Sequence, residues 1–139
     1  MIELDNTTAL QVDEEYLQKI ADMLTDKDIE LLITSNSTIQ EINQEHRGID
    51  KATDVLSFPY EEMPMAPLGS IVISQEYVEQ KAQEFGHKPH DELALLFIHG
   101  LLHLLGYDHE VDSGEMRQKE AQLIEQLHLP QSLIVRTEG

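Results

Sequence analysis

Three histidines at defined spacing are the residues of this sequence best suited to chemistry. The segment HGLLHLLGYDH places them at positions 99, 103 and 109. His99 and His103 are four residues apart, so on a helix their Cβ atoms lie about 5–6 Å apart on one face. Both imidazoles then reach one ion at the Zn–N distance of about 2.0–2.1 Å. Gly106 permits a turn after the helix, and we therefore predict that His109 supplies a third ligand.

Three protein ligands are typical of a catalytic metal site, because the fourth position of tetrahedral zinc stays open for water or substrate. An H-x-x-x-H pair alone is a weak indication of metal binding. Here, however, the pair lies in a run of Leu, Ile and Phe, where unpaired imidazoles are costly to bury. The chain has no cysteine, which excludes thiolate ligands, disulfides and cysteine nucleophiles. We expect one divalent transition metal per chain, with Zn2+ the first choice.

The histidine spacing also matches the metzincin protease motif H-E-x-x-H-x-x-G-x-x-H, including its glycine. Gly100 stands where those proteases have the glutamate that takes a proton from the metal-bound water. Peptide hydrolysis by that route is therefore disfavoured. Three neutral imidazoles leave the charge of the metal uncompensated, which favours an anionic substrate such as a phosphodiester.

Composition indicates one globular domain, which we predict to span residues 1–139. The chain is 40% hydrophobic and 26% charged, and no apolar run approaches the roughly 20 residues needed to cross a bilayer. The start, MIELDNTTAL, lacks the basic leader and apolar core of an export signal, so we expect a cytoplasmic protein. The net charge of −18 argues against a generally basic nucleic-acid-binding surface. A polyanionic substrate would need a local positive site.

Hydrophobic patterns predict an α+β domain in which a mixed, mostly four-stranded sheet packs against helices. Strands are predicted at 1–6, 30–35, 54–59 and 68–74. Helices are predicted after an N-cap at Asp13 through Leu24, from Ser37 to near His46, over 75–85, over 92–106, and from near Ser113 to before Pro130. The helix at 92–106 is hydrophobic nearly all round. It should therefore be the central buried helix, and with the metal motif on it the site would be zincin-like.

Two long motifs, HGLLHLLGYDH and the upstream RGIDKATDVLSFP, resemble the YbeY family of bacterial endoribonucleases. The similarity continues through LGSIVIS and GEMRQKE and covers nearly the whole chain. It implies a metal-dependent endonuclease that prefers single-stranded RNA. It also implies a role in 3′-end maturation of small-subunit ribosomal RNA and in late ribosome quality control. The implied partners are ribosomal RNA and ribosomal or small-subunit proteins, with neither DNA nor a membrane among them.

The resemblance assigns the metal ligands to His99, His103 and His109, and a conserved arginine to Arg47. The sequence departs from the family at Ser70, because members commonly have an aspartate there, in L-G-D-I. Members are usually described with a positively charged cleft, which must be a narrow feature in so acidic a chain.

Two residues are candidates for catalysis beside the metal. The guanidinium of Arg47 can bind a phosphate bidentately and stabilise charge that grows in the transition state. Its alternative role is a loop contact with Asp50 or Asp54. Asp108 can act on the attacking water or, like Tyr107, orient an imidazole. A helix-capping role for this aspartate is the alternative.

Four histidines have no partner at a useful spacing and are predicted to be surface residues: His46, His87, His90 and His128. Two lysines are candidates for lining an RNA path, although isolated lysines are usually only solvated: Lys51 and Lys88. Two other functions remain open at this point. One is a metallopeptidase or amidohydrolase that uses Asp108 as the base, and the other is a non-catalytic ribosome-assembly factor with a structural metal.

Overall fold

A computed structural model describes residues 1–61, 63–108, 111 and 113–129. Over these residues the chain forms the α+β fold that the sequence predicts. The strands are β1 (Ile2–Asn6), β2 (Ile29–Thr34), β3 (Val55–Pro59) and β4 (Gly69–Ser74). The helices are α1 (Glu14–Asp22), α2 (Asn36–Arg47), α3 (Gln75–Phe85), α4 (Pro89–Leu104) and α5 (Glu115–Leu127).

The four strands form one mixed sheet in the order β1-β2-β4-β3. The pairs β1·β2 and β2·β4 are parallel, and β3 runs antiparallel to β4. In the register, Ile71 of β4 lies between Leu31 of β2 and Ser57 of β3. This order leaves β3 at one edge of the sheet, where it packs beside α4.

Helix α4 is the central buried helix, as predicted from its apolar sequence. Most of its side chains are buried, among them Phe97, Ile98 and Leu101, which are fully inaccessible. They join Ile71 of β4 in the main core cluster on one face of the sheet. A smaller cluster around Ile39 covers the opposite face under α2. None of the helices within the described residues has the length and hydropathy to cross a membrane.

The starts of α1 and α2 follow capping rules, and two helices start at other residues than predicted: α4 at Pro89 in place of residue 92, and α2. Asp13 caps α1, since its side chain accepts a hydrogen bond from the Tyr16 amide at 3.1 Å. Ser37 was expected to open α2, but the N-cap is Ser35, whose hydroxyl accepts from the Thr38 amide at 3.3 Å. Both serines satisfy the N-cap preference, so the sequence alone could not choose between them.

His87 contradicts the prediction that it lies on the surface. Its side chain is 6% exposed, and its Nε2 lies 2.8 Å from Oε2 of Glu92, which is completely buried. A carboxylate that is buried this deeply requires a hydrogen-bonding partner, and His87 provides it from just before α4. His46 and His128 are exposed as expected, whereas His90 is half-buried against the ring of Tyr16.

Candidate active-site cleft

The C-terminal half of α4 brings His99 and His103 together at the wall of an open cleft of about 580 Å³. The four-residue spacing places the two rings in edge-to-face contact with centroids 4.7 Å apart. Their Nε2 atoms are 3.2 Å apart. The side chain of His99 is 12% exposed, so the pair is largely removed from water while it still faces the cleft.

This separation fits two ligands of one tetrahedral ion. Two Zn–N bonds of about 2.0–2.1 Å at the tetrahedral angle place the nitrogen atoms roughly 3.3–3.4 Å apart. The 3.2 Å between the two Nε2 atoms is close to that edge length. His99 and His103 therefore fit a metal with little movement of either ring.

The predicted third ligand, His109, lies outside the described residues. Within the part of the chain that the structure describes, no group of three metal-ligating side chains forms. The role of His109 therefore stays a prediction, based on the motif and on the turn before it. Gly106 forms that turn, since its φ of 100° lies in a region that favours glycine.

The edge strand β3 forms the second wall of the cleft and is fixed directly to the histidine helix. The Ser57 hydroxyl donates to the Gly100 carbonyl at 3.1 Å. A Cβ atom at Gly100 would lie 2.9 Å from Cγ2 of Ile71 and 3.2 Å from Oγ of Ser57. Close contact of sheet and helix therefore requires a glycine between the two histidines. A glutamate at that position would require the side chains of Ile71 and Ser57 to shift.

Arg47, the last residue of α2, also lines the cleft. Gly48, with a φ of 70°, ends this helix in the left-handed conformation. Among the described residues, Arg47 forms no ion pair with Asp50 or Asp54. Asp50 instead accepts from Nε2 of Gln40 at 2.9 Å, and Asp54 accepts from the Val55 amide at 2.8 Å. The structure thus places the guanidinium at the cleft and gives no support to a loop-anchoring role.

Asp108 and Tyr107 also line the cleft, directly after the turn that ends α4. The Tyr107 amide donates to the Leu102 carbonyl at 3.0 Å, which fixes the chain where it leaves the helix. The Tyr107 ring packs against the main core. Asp108 is half-buried, and its carbonyl accepts from the Val111 amide at 3.2 Å. Both residues therefore line the same cleft as His99 and His103, and their roles stay predictions.

Glu120 is a site residue that sequence reasoning missed. It lies on α5, its side chain is 3% exposed, and its Oε2 is 3.8 Å from Nδ1 of His99. A carboxylate behind a ligating histidine fixes the ring orientation and raises its basicity. A signal was present in the sequence, because Glu120 shares the inward face of α5 with Met116, Leu123 and Ile124. An acidic residue on an apolar helix face requires a buried partner.

The two lysines proposed for an RNA path have different surroundings. Lys51 lies in a second concavity that shares Arg47 and Asp54 with the cleft. Lys88 is the N-cap residue of α4. At 1.5 Å per residue it is roughly 22 Å along the helix from His103. Lys88 is therefore not part of a path through this cleft.

Ser70, at the position where the family commonly has aspartate, lies away from the histidines. Side chains alternate along β4, and Ile71 points to α4, so Ser70 points to the other face of the sheet. There it contacts Tyr60. A hydrogen bond to Glu30, at 2.6 Å, raises the pKa of Tyr60, while the contact with Ser70 acts in the opposite direction. The presence of Ser70 in place of the family's usual aspartate therefore does not deprive the cleft of a carboxylate.

Comparison with known proteins gives a consistent result. The family model described as Endoribonuclease YbeY matches residues 2–128. Among curated relatives, Endoribonuclease YbeY of Sulfurimonas denitrificans is 64% identical over 139 residues, with 100% of each chain covered. That of Helicobacter pylori strain Shi470 is 54% identical, with 99% of each covered. The solution structure of TM1509 from Thermotoga maritima superposes with a TM-score of 0.62 at 31% identity, covering 90% of this chain and 87% of that one.

Proposed function

Because this chain belongs to the YbeY endoribonuclease family, we propose that it is a zinc-dependent endoribonuclease that cleaves single-stranded ribosomal RNA. The observation that supports metal dependence is the 3.2 Å separation of the Nε2 atoms of His99 and His103 at the wall of an open cleft. With His109 as the third ligand, these imidazoles would hold the metal. A divalent metal bound there supplies a Lewis acid to the phosphate and an activated nucleophile.

Arg47 and Asp108 have complementary roles in this proposal. The Arg47 guanidinium lines the same cleft as the histidines, and it contacts the scissile phosphate through two parallel N–H groups. It thereby stabilises the negative charge that increases in the transition state. Asp108, also at the cleft, is placed to accept a proton from the nucleophile.

The dimensions of the cleft favour an unpaired strand. A volume of about 580 Å³ is that of a small-ligand site, which accommodates a nucleotide or two rather than a duplex. Sequence-specific recognition of RNA is commonly directed at single strands, whose bases are free to leave the stack. We place the substrate in ribosomal RNA and the reaction in the cytoplasm, with ribosomal small-subunit proteins as partners.

Two other functions are less well supported by the site. A peptidase of metzincin type needs a glutamate at position 100, where the packing of β3 and β4 requires glycine. A purely structural metal is usually enclosed by four protein ligands. His99 and His103, in contrast, line an open cleft together with Arg47 and Asp108.

The experiment that tests the proposal uses one preparation of the full chain, loaded with zinc or treated with a chelator. Single-stranded RNA, the same RNA annealed into a duplex, and casein are incubated with each sample. We expect internal cleavage of the single strand only, lost with the chelator and restored by added zinc. Casein hydrolysis, or RNA cleavage that does not respond to the chelator, would contradict the proposal.

A further inference from the structure

A second concavity adjoins the active-site cleft and is called here the side hollow. It has a volume of about 410 Å³ and is lined by Arg47, Ile49, Lys51, Asp54 and Tyr77, among others. Arg47 and Asp54 also line the cleft. A strand that passes the histidines can therefore continue over Arg47 into the side hollow without crossing a separate surface.

The side hollow combines cationic and apolar groups in a protein of net charge −18. Within the described residues, neither Arg47 nor Lys51 forms an ion pair with a carboxylate. The two cations therefore remain available to a phosphate. Asp54 is the acidic residue of the hollow, and its Oδ1 already accepts from the Val55 amide at 2.8 Å.

Two apolar side chains of the side hollow are not used by the core. Ile49 lies in the short loop between α2 and β3, and its apolar side chain is 41% exposed. Tyr77, on the first turn of α3, is half-buried and belongs to neither core cluster of the described residues. An aromatic ring beside an exposed aliphatic chain suits the flat face of a nucleobase.

The loop that supplies Ile49 and Lys51 is held in place before any ligand arrives. Nδ2 of the buried Asn43 donates to the Lys51 carbonyl at 2.9 Å. The Lys51 amide donates to the Ile49 carbonyl at 3.0 Å, and Gln40 binds Asp50 at 2.9 Å. A preorganised loop loses little conformational entropy when it binds, which favours a binding role.

We propose that the side hollow is a nucleotide-binding subsite for the substrate strand, next to the nucleotide whose phosphate lies at the histidines. Its base stacks on Tyr77 against Ile49, and Lys51 contacts its phosphate. Arg47 lines both concavities, so it lies between the phosphate at the histidines and the phosphate that Lys51 contacts. This inference rests on the proposed ribonuclease function, because it takes RNA as the ligand.

The test measures RNA binding to metal-free protein, so that binding is separated from cleavage. Fluorescence anisotropy of a short labelled oligoadenylate gives the Kd of the unmodified protein and of its variants. Tyr77→Leu should weaken binding by about 5- to 150-fold, the effect of losing one stacked base. Tyr77→Phe keeps the ring and should bind as the unmodified protein does. Equal affinity of the Leu and Phe variants would overturn the proposal.

Salt dependence tests the phosphate contact separately. Each phosphate contact on single-stranded nucleic acid contributes about −0.7 to the slope of log K against log salt concentration. Lys51→Gln should therefore make the slope about 0.7 less negative. Lys88→Gln, at the far end of α4, is the matched control and should leave the slope unchanged. If both lysine variants gave the same slope, Lys51 would not contact a phosphate.

A series of abasic oligonucleotides tests the stacking contact from the side of the ligand. A series of probes, each lacking one base, should include one position at which binding to the unmodified protein weakens but binding to Tyr77→Leu does not change further. If no position behaves in this way, or if the unmodified protein does not bind the intact probe, the subsite is wrong. If the unmodified protein cleaves RNA while Tyr77→Leu binds normally, the subsite alone fails and the proposed function stands.

Discussion

Replacement of Glu120 by glutamine tests whether this carboxylate acts through His99. The substitution keeps the shape of the side chain and removes its charge. The side chain of Glu120 is 3% exposed, with Oε2 at 3.8 Å from Nδ1 of His99. That distance is too long for a hydrogen bond, and we expect it to shorten when Nε2 of the histidine binds a metal. Nδ1–H then donates to the carboxylate.

The size of the effect follows from this distance. A full pair of unit charges at 3.8 Å is worth about 4 kcal/mol at an effective dielectric constant of about 20. A metal-bound imidazole carries only part of the charge of the metal. We therefore expect roughly a third to a half of that energy, or about 1.4–2 kcal/mol. This corresponds to a zinc affinity about 10- to 30-fold lower, at the lower end of the range found for such partners.

A competition titration with a chromogenic chelator gives the zinc Kd, and thermal unfolding of the metal-free protein gives its stability. In the metal-free state the buried carboxylate lacks the positive charge of the metal, so Glu120→Gln should leave the melting temperature unchanged or raise it. Glu125→Gln, on the exposed side of α5, is the matched control and should change neither quantity. An unchanged zinc Kd in Glu120→Gln, or equal losses in affinity and stability, would refute the positioning role.

Three further predictions concern the metal, the cleft and the edge of the sheet. Elemental analysis should find about one zinc per chain, and His103→Ala should lose most of it; full occupancy in that variant would exclude His103 as a ligand. Arg47→Lys should lower single-turnover RNA cleavage by about 10²–10³-fold with the zinc content unchanged, because an ammonium cannot reproduce a bidentate contact; normal cleavage would remove Arg47 from catalysis. Folding raises the pKa of Tyr60 above 10.0 through its hydrogen bond to Glu30. The folded state therefore releases this proton at a higher pH than the unfolded state does. The raised pKa contributes fully to the free energy of unfolding below about pH 10, and this contribution is lost as the pH rises through the pKa of the folded protein. Chemical unfolding at a series of pH values should show a shallower loss of stability above about pH 10 in Tyr60→Phe, and identical slopes would contradict the assigned cause.

Local sequence patterns were sufficient to predict the elements of this fold, because each is determined by neighbouring residues. The apolar run of α4 predicts a central helix, and the i, i+4 spacing predicts that His99 and His103 face each other. The N-cap of α2 is Ser35, and the next residue, Asn36, has its amide hydrogen-bonded to Oε1 of Glu76 on α3 at 2.9 Å, a contact that local sequence does not show. Serine at either position has the same intrinsic preference.

The polar contacts that the sequence alone did not predict depend on how side chains pack in three dimensions. Glu120 approaches His99 across the contact between α5 and α4, whereas His87 and the buried Glu92 are only five residues apart. Periodicity describes which face of an element is apolar, but not which polar group on another element it meets. A buried acidic residue on an apolar face was the available sign in both cases.

Gly100 shows how packing restricts the chemistry of this site. In metzincin proteases the corresponding residue is the catalytic glutamate, so its absence from this sequence indicates a functional difference. The structure adds a steric reason, because a Cβ atom there would lie 2.9 Å from Ile71 and 3.2 Å from the hydroxyl of Ser57. A side chain at position 100 must displace groups of both β4 and β3. The proton acceptor must therefore come from elsewhere, and Asp108 lines the cleft.

The stability of Gly100→Ala tests this steric reasoning. Overpacking of a core costs about 1–3 kcal/mol, and replacing glycine by alanine inside a helix returns roughly 0.5–1 kcal/mol. From the middle of both ranges we therefore expect a net loss of about 1 kcal/mol and a melting temperature lower by roughly 3–5 °C. Ile71→Ala removes the nearest methyl group, so the two substitutions together should cost less than the sum of their separate effects. Additive losses, or a Gly100→Ala protein as stable as the unmodified chain, would show that packing does not require glycine here.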